Sequence, residues 1–81
     1  MYVIWSNEHR AWWRPNSQGY SKSIEHAGVY SRDDAMGIVE GANAYQHRHQ
    51  APNELAVAIV DLSPNLIAAL GFDTGDLKQA E

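Results

Sequence analysis

Trp12-Trp13-Arg14-Pro15-Asn16-Ser17-Gln18-Gly19-Tyr20 is the stretch that decides how this chain folds. Side chains alternate along a strand, so two adjacent tryptophans must point to opposite faces. One face has to meet a core. The other is either covered by a second layer or left exposed as an adhesive surface. Pro15 has no N–H to give to a ladder and ends the strand. Residues 16–19 then supply turn chemistry. The stretch predicts a sheet with tryptophan on both faces, broken at Pro15 and resumed at Tyr20.

Toward the N-terminus, Tyr2-Val3-Ile4-Trp5-Ser6 is β-branched and aromatic and reads as a strand. Asn7-Glu8-His9-Arg10 is a polar connection of hairpin length, so residues 11–14 return alongside it. Toward the C-terminus, Tyr20-Ser21 is a short extended segment. Residues 23–28 form one helical turn, capped by Ser21 or Ser23, with Gly28 as its left-handed terminator. Val29-Tyr30 is extended again.

Ser31 is a good N-cap for the main helix. Asp33 and Asp34 sit in its first turn, where the helix dipole favours acids. The apolar positions Ala35, Ile38, Val39, Ala42 and Tyr45 keep helical spacing, which predicts a helix over about residues 32–46. Gly37 and Gly41 share one side of it. Each costs about 1 kcal/mol against alanine, a cost that makes sense if a bulky group such as a tryptophan packs against the backbone there, and that is otherwise neutral drift. After a polar loop ending at Pro52-Asn53, residues 54–62 alternate Leu55, Val57 and Ile59 with Ala56, Ala58 and Val60. Apolar residues on both faces predict a central strand. Ser63 and Pro64 open a short helix that stops at Gly71, and Phe72 folds back as an anchor.

The expected fold is α+β: a small antiparallel sheet of about three or four strands, in β-β-α-β-α order, packed on one main helix. Residues 1–72 form a single compact domain, and residues 73–81 form a flexible acidic tail. The second helix covers part of the other sheet face or mediates self-association through Leu66, Ile67, Leu70 and Phe72.

A chain of 81 residues supports one small core, and three Trp, four Tyr and one Phe supply its bulk. With no Cys, neither a disulfide nor a Cys-based zinc site is open to it, which fits a cytoplasmic protein. The first residues lack a basic segment followed by an apolar run, so no signal peptide is expected. Apolar runs such as residues 56–60 and 66–70 fall far short of the roughly 20 residues of a membrane span. The net charge of −4 is unevenly placed: residues 1–53 balance, and residues 54–81 carry five acids against Lys78 alone. An acidic end repels phosphate and favours a basic partner, or serves only to solubilise.

Candidate chemistry is sparse. His47 and His49 could share a strand face and hold a metal, but nothing fixes a third ligand, and solvated loop histidines are the simpler reading. No serine lies in a Gly-x-Ser-x-Gly elbow and no Gly-rich phosphate loop is present. Neither enzymatic activity nor a cofactor or metal is expected. Trp12, Trp13, Arg14 and Tyr20 are instead residue types enriched at protein interfaces. They could also stack on single-stranded nucleic acid, although the acidic total argues against it.

Two blocks carry a resemblance. Trp12-Trp13-Arg14-Pro15-Asn16 with Gly19-Tyr20-Ser21, followed by Ala27-Gly28-Val29-Tyr30-Ser31-Arg32-Asp33-Asp34-Ala35, resembles a group of small phage and prophage proteins over about residues 2–40. Ser21 and Asp34 depart from that pattern, where Thr and Glu are commoner. Residues 41–81 show no resemblance. Some small, acidic, cysteine-free phage proteins are anti-CRISPR proteins that occupy a host effector's DNA-binding or nuclease-recruitment surface. The resemblance therefore implies a non-enzymatic inhibitor, acting in the cytoplasm of the infected bacterial host on a type I CRISPR effector subunit as monomer or homodimer. Trp12, Trp13, Arg14, Tyr20, Asp61, Asp73 and Asp76 are its expected partner-binding residues. The alternatives are a small single-stranded nucleic-acid-binding accessory protein or a structural phage homo-oligomer.

Overall fold

Four antiparallel strands form one sheet. The computed structural model describes residues 1–44 and 52–72. Strand β1 is Tyr2–Ser6, β2 Ala11–Trp13, β3 Tyr20–Ser21 and β4 Glu54–Ala58; the main helix α1 is Arg32–Asn43 and a short helix α2 is Pro64–Ala69. The strand order is β3-β2-β1-β4. Single 3-10 turns at Pro15–Ser17, Ile24–His26 and Ile59–Asp61 link these elements. Among the described residues no helix is long and apolar enough to cross a membrane.

The sheet sits between two layers. On one face Ile4, Tyr30 and Ala35 are buried, with Tyr2, Trp13, Ala56 and the α1 residues Ile38 and Val39 packed around them. On the other face Val3, Ile24, Ala27, Ile59 and Ile67 are buried, flanked by Trp12, Val57, Leu62, Leu66, Leu70 and Phe72. Trp12 and Trp13 thus serve opposite cores, as alternation requires. Ile67 is spent within its own chain's core at 4 % exposure. Leu66, Leu70 and Phe72 lean on the same cluster, which directs them inward before any second copy is considered.

Both helix starts follow local chemistry. Ser31 Oγ accepts the Asp34 N–H at 3.1 Å, and Ser63 Oγ accepts that of Leu66 at 3.4 Å. The end of α2 is equally local. Gly71 at φ 88° sends its N–H to the Ala68 carbonyl, and the Phe72 N–H returns to that of Ile67. This is a Schellman closure, with Phe72 and Ile67 supplying the apolar contact that accompanies it.

Four expectations are corrected. First, β4 is an edge strand and ends at Ala58, where the chain tightens into a 3-10 turn. It is apolar on both sides because layers lie above and below it, which says nothing of its place in the sheet.

Second, Gly28 does not terminate a helical turn in the left-handed region. Its N–H donates to the Trp13 carbonyl at 2.8 Å, and a Cβ there would stand 2.8 Å from the Pro15 backbone. Two residues on, Tyr30 exchanges hydrogen bonds with Tyr2. Residues 28–30 therefore wedge between β1 and the departing end of β2, and only glycine fits the approach.

Third, neither Ser21 nor Ser23 caps the turn at Ile24–His26. Ser21 Oγ takes the Ser23 N–H instead. Fourth, Gly37 and Gly41 are exposed, and a Cβ at either would meet nothing within 4 Å. No tryptophan packs on them.

Candidate functional site

The turns of residues 6–11 and 13–20 lie at opposite ends of β2, and the short strands between them bring aromatic and charged side chains together. Arg10 turns the hairpin at φ 53°. Asn16 and Ser17 (φ 58° and 57°) and Gly19 (φ 99°) bring β3 back onto β2, closed by the Arg14 N–H on the Gly19 carbonyl. The Tyr30 hydroxyl pins this turn from below. It donates to the Arg14 carbonyl and accepts the Ser17 N–H.

On the face shared with α1, the end of the sheet beside the 7–10 hairpin is locked by Glu54. Glu54 is 2 % exposed as a whole residue and holds two partners through its carboxylate. One oxygen accepts the Trp13 indole N–H at 2.6 Å and the other the Ser6 hydroxyl at 3.2 Å. Ser6 Oγ also accepts the His9 N–H at 3.0 Å, so the hairpin loop joins the same network. The Asn43 carboxamide, at the end of α1, both donates to the Glu54 carbonyl and accepts its N–H, at 3.0 and 3.1 Å. One residue thereby ties β4 to β1, β2 and the helix. Tyr20 rides over Trp13 edge-on at 5.7 Å and stacks on the His9 ring at 3.9 Å, itself 40 % exposed. Partial burial raises the phenol above its ordinary value, and the negative charges of Glu54 and Glu8 add to the effect. Tyr20 is therefore neutral and able to donate at physiological pH.

On the opposite face, the register sets Ser21, Trp12, Trp5 and Leu55 in one row across all four strands. The Trp5 and Trp12 rings meet edge-to-face at 4.9 Å. The Arg10 guanidinium lies 5.7 Å from the Trp5 ring centroid, within the range where a cation is drawn to an aromatic face. Trp5 spends its own N–H on Asn7 Oδ1 at 3.1 Å. Leu55 closes the row at 38 % exposure.

Trp12, Trp13 and Tyr20 thus lie together on β2 and β3, with the two tryptophans half-buried on opposite faces and Tyr20 exposed. Arg14 is exposed beside them, and its backbone carbonyl is what Tyr30 engages. Asp61 is exposed at the end of the last 3-10 turn. Asp73, Asp76 and the remainder of the 73–81 tail, like His47 and His49, lie outside the described residues. Trp5, Leu55 and Glu54 join the constellation without having been singled out, together with His9 and Arg10 of the hairpin loop. The one signal for Glu54 in the sequence is an acid at the head of an otherwise apolar strand.

A separate open groove of about 480 Å³ runs between the 15–17 turn and α1, lined by Pro15, Val29, Tyr30 and Ile38 with Ser31 and Asp34 at its polar side. Among the described residues no three His, Asp or Glu side chains converge closely enough to hold a metal ion. In comparisons with protein-family models, curated proteins and solved structures, nothing matches this chain.

Proposed function

We propose that this chain is a non-enzymatic binding protein that uses the aromatic end of its sheet to occupy a surface on a host protein. The observation that supports it most directly is the Trp12–Trp5–Leu55 row with Arg10 over Trp5. Tryptophan and arginine are the residue types that dominate interface energetics, and here they stand on a sheet braced from behind. Tyr20 and His9 extend the surface around the hairpin to the other face. The resemblance of residues 2–40 to small phage proteins supplies the setting: an inhibitor of a type I CRISPR effector, acting by steric block of DNA binding or nuclease recruitment in the bacterial cytoplasm. The acidic C-terminal third favours a basic, nucleic-acid-binding surface as its target.

The test uses the full chain and a purified type I effector complex. The expected result is a stoichiometric complex on gel filtration and loss of target-DNA binding or cleavage at equimolar protein. Absence of a complex together with undiminished interference in cells rejects the reading. Direct binding of the chain alone to single-stranded DNA, weakening steeply with salt, would replace it with the nucleic-acid alternative.

A further inference from the structure

We propose that the outer edge of β4 is a self-pairing site, through which two copies join antiparallel into one continuous sheet. The inference rests on backbone groups of β4 and not on the proposed partner, although Leu55 belongs to both surfaces.

Backbone direction along β4 follows from its contacts. Asn43 reaches both the N–H and the carbonyl of Glu54, so those groups point away from β1. The Ile59 N–H points the other way, to the Met1 carbonyl beside β1. Ladder groups alternate along a strand, so Ala56 and Ala58 share the outward direction of Glu54, while Leu55 and Val57 face β1. Among the described residues nothing pairs with the outward groups of Ala56 and Ala58. An open edge of this kind is a template for another strand. Proteins blunt such edges with lysine, proline or a bulge, and residues 55–58 contain no lysine or proline. The blunting device at hand is Asn43, and it closes the Glu54 position alone.

The opening is bounded at both ends. Asn43 occupies the Glu54 position, and beyond Ala58 the chain leaves the strand as the 3-10 turn Ile59–Asp61. A long extended segment would collide with one end or the other. A strand as short as this one, ending the same way, is β4 itself. Antiparallel pairing about a two-fold axis at Val57 sets Ala56 of each copy opposite Ala58 of the other. Every outward N–H and carbonyl at the two positions is then satisfied reciprocally, as an isologous interface requires. The two Val57 side chains meet across the axis as a β-branched pair. Each exposed Leu55 gains the second copy's strand as a neighbour on its face of the sheet.

Sedimentation of the full chain from micromolar to millimolar concentration, with amide exchange by NMR, tests the site. The expected result is a concentration-dependent monomer–dimer equilibrium, with exchange slowing at Ala56 and Ala58 as dimer accumulates. Ala56→Pro removes an outward N–H and leaves the ladder to β1 intact, as proline on an edge does. It should weaken dimerisation about tenfold or more while preserving the near-ultraviolet spectrum of the tryptophans. A chain that stays monomeric at all concentrations overturns the proposal, as does a dimer that leaves these two amides fast. Should the proline variant fail to fold, the exchange measurement on the unaltered chain decides alone. Protection at Ala56 and Ala58 that appears only with a CRISPR effector, in a chain otherwise monomeric, gives the edge to a foreign strand and also overturns self-pairing.

Discussion

Trp12 and Trp13 are neighbours in the chain and hold opposite jobs. Trp13 faces α1, and its indole N–H is committed to a buried carboxylate. Trp12 faces the layer that contains α2 and meets Trp5 edge-on at the rim of an apolar core. The first face is a polar lock that joins four elements through one residue. The second is an apolar row whose outer end stays in solvent. A substitution on the first face should damage folding, and one at the rim of the second should damage recognition.

The largest expected effect tests the lock. Glu54→Ala strands the Trp13 N–H and the Ser6 hydroxyl in a buried site and opens a void. It should cost about 3 kcal/mol of stability in urea unfolding, since hydrogen bonds to a charged group contribute about 1.5–3 kcal/mol each. A loss below about 1 kcal/mol would mean that the network is incidental. Next, Gly28→Ala drives a Cβ into the Pro15 backbone and should cost about 2 kcal/mol, in the range for overpacking. An unchanged midpoint would show that the wedge between β1 and β2 relaxes freely.

Arg10→Ala probes the open face. It should weaken partner binding about thirtyfold, the scale of an interface hot spot. Its effect on stability should stay within about 1 kcal/mol, the worth of an exposed cation–π contact. Equal losses of binding and stability would erase the contrast between the faces. Smaller again, and opposite in sign, Gly37→Ala and Gly41→Ala should each stabilise by about 0.5–1 kcal/mol, because nothing occupies the space a Cβ would take. Destabilisation at either would reveal contacts on that helix side.

The smallest effect concerns Tyr20, whose phenol is raised above the ordinary tyrosine value. The folded state favours the neutral form. The associated stability is fully present below the unfolded-state value and is lost as pH rises through the raised one. Absorbance near 295 nm, compared with a Tyr20→Phe chain, should show Tyr20 ionising late and returning to the ordinary value on unfolding. A difference curve that places Tyr20 at the ordinary value in the folded chain would remove this mark of its environment.

What the amino-acid sequence determined by itself is the part whose physics is local. Ser31 and Ser63 cap because a hydroxyl reaches an N–H three residues on. Pro15 ends β2 because it lacks an N–H. Gly71 ends α2 because it tolerates positive φ. The opposite facing of Trp12 and Trp13 follows from strand alternation alone. These suffice for an α+β sheet with tryptophan on both sides.

What tertiary structure decided are the pairings of segments far apart in the chain. Glu54 meets Trp13 and Ser6 across a register that no local pattern encodes. Gly28 is needed because Pro15 passes behind it, and its own neighbours give no sign of that. The row of Trp12, Trp5 and Leu55 exists because β1 lies between β2 and β4. The position of β4 at the edge was hidden for the same reason. Apolar residues on both faces record that layers cover the strand above and below, whereas edge or centre depends on what lies beside it in the plane, where backbone groups carry the contact and side chains leave no trace in the sequence.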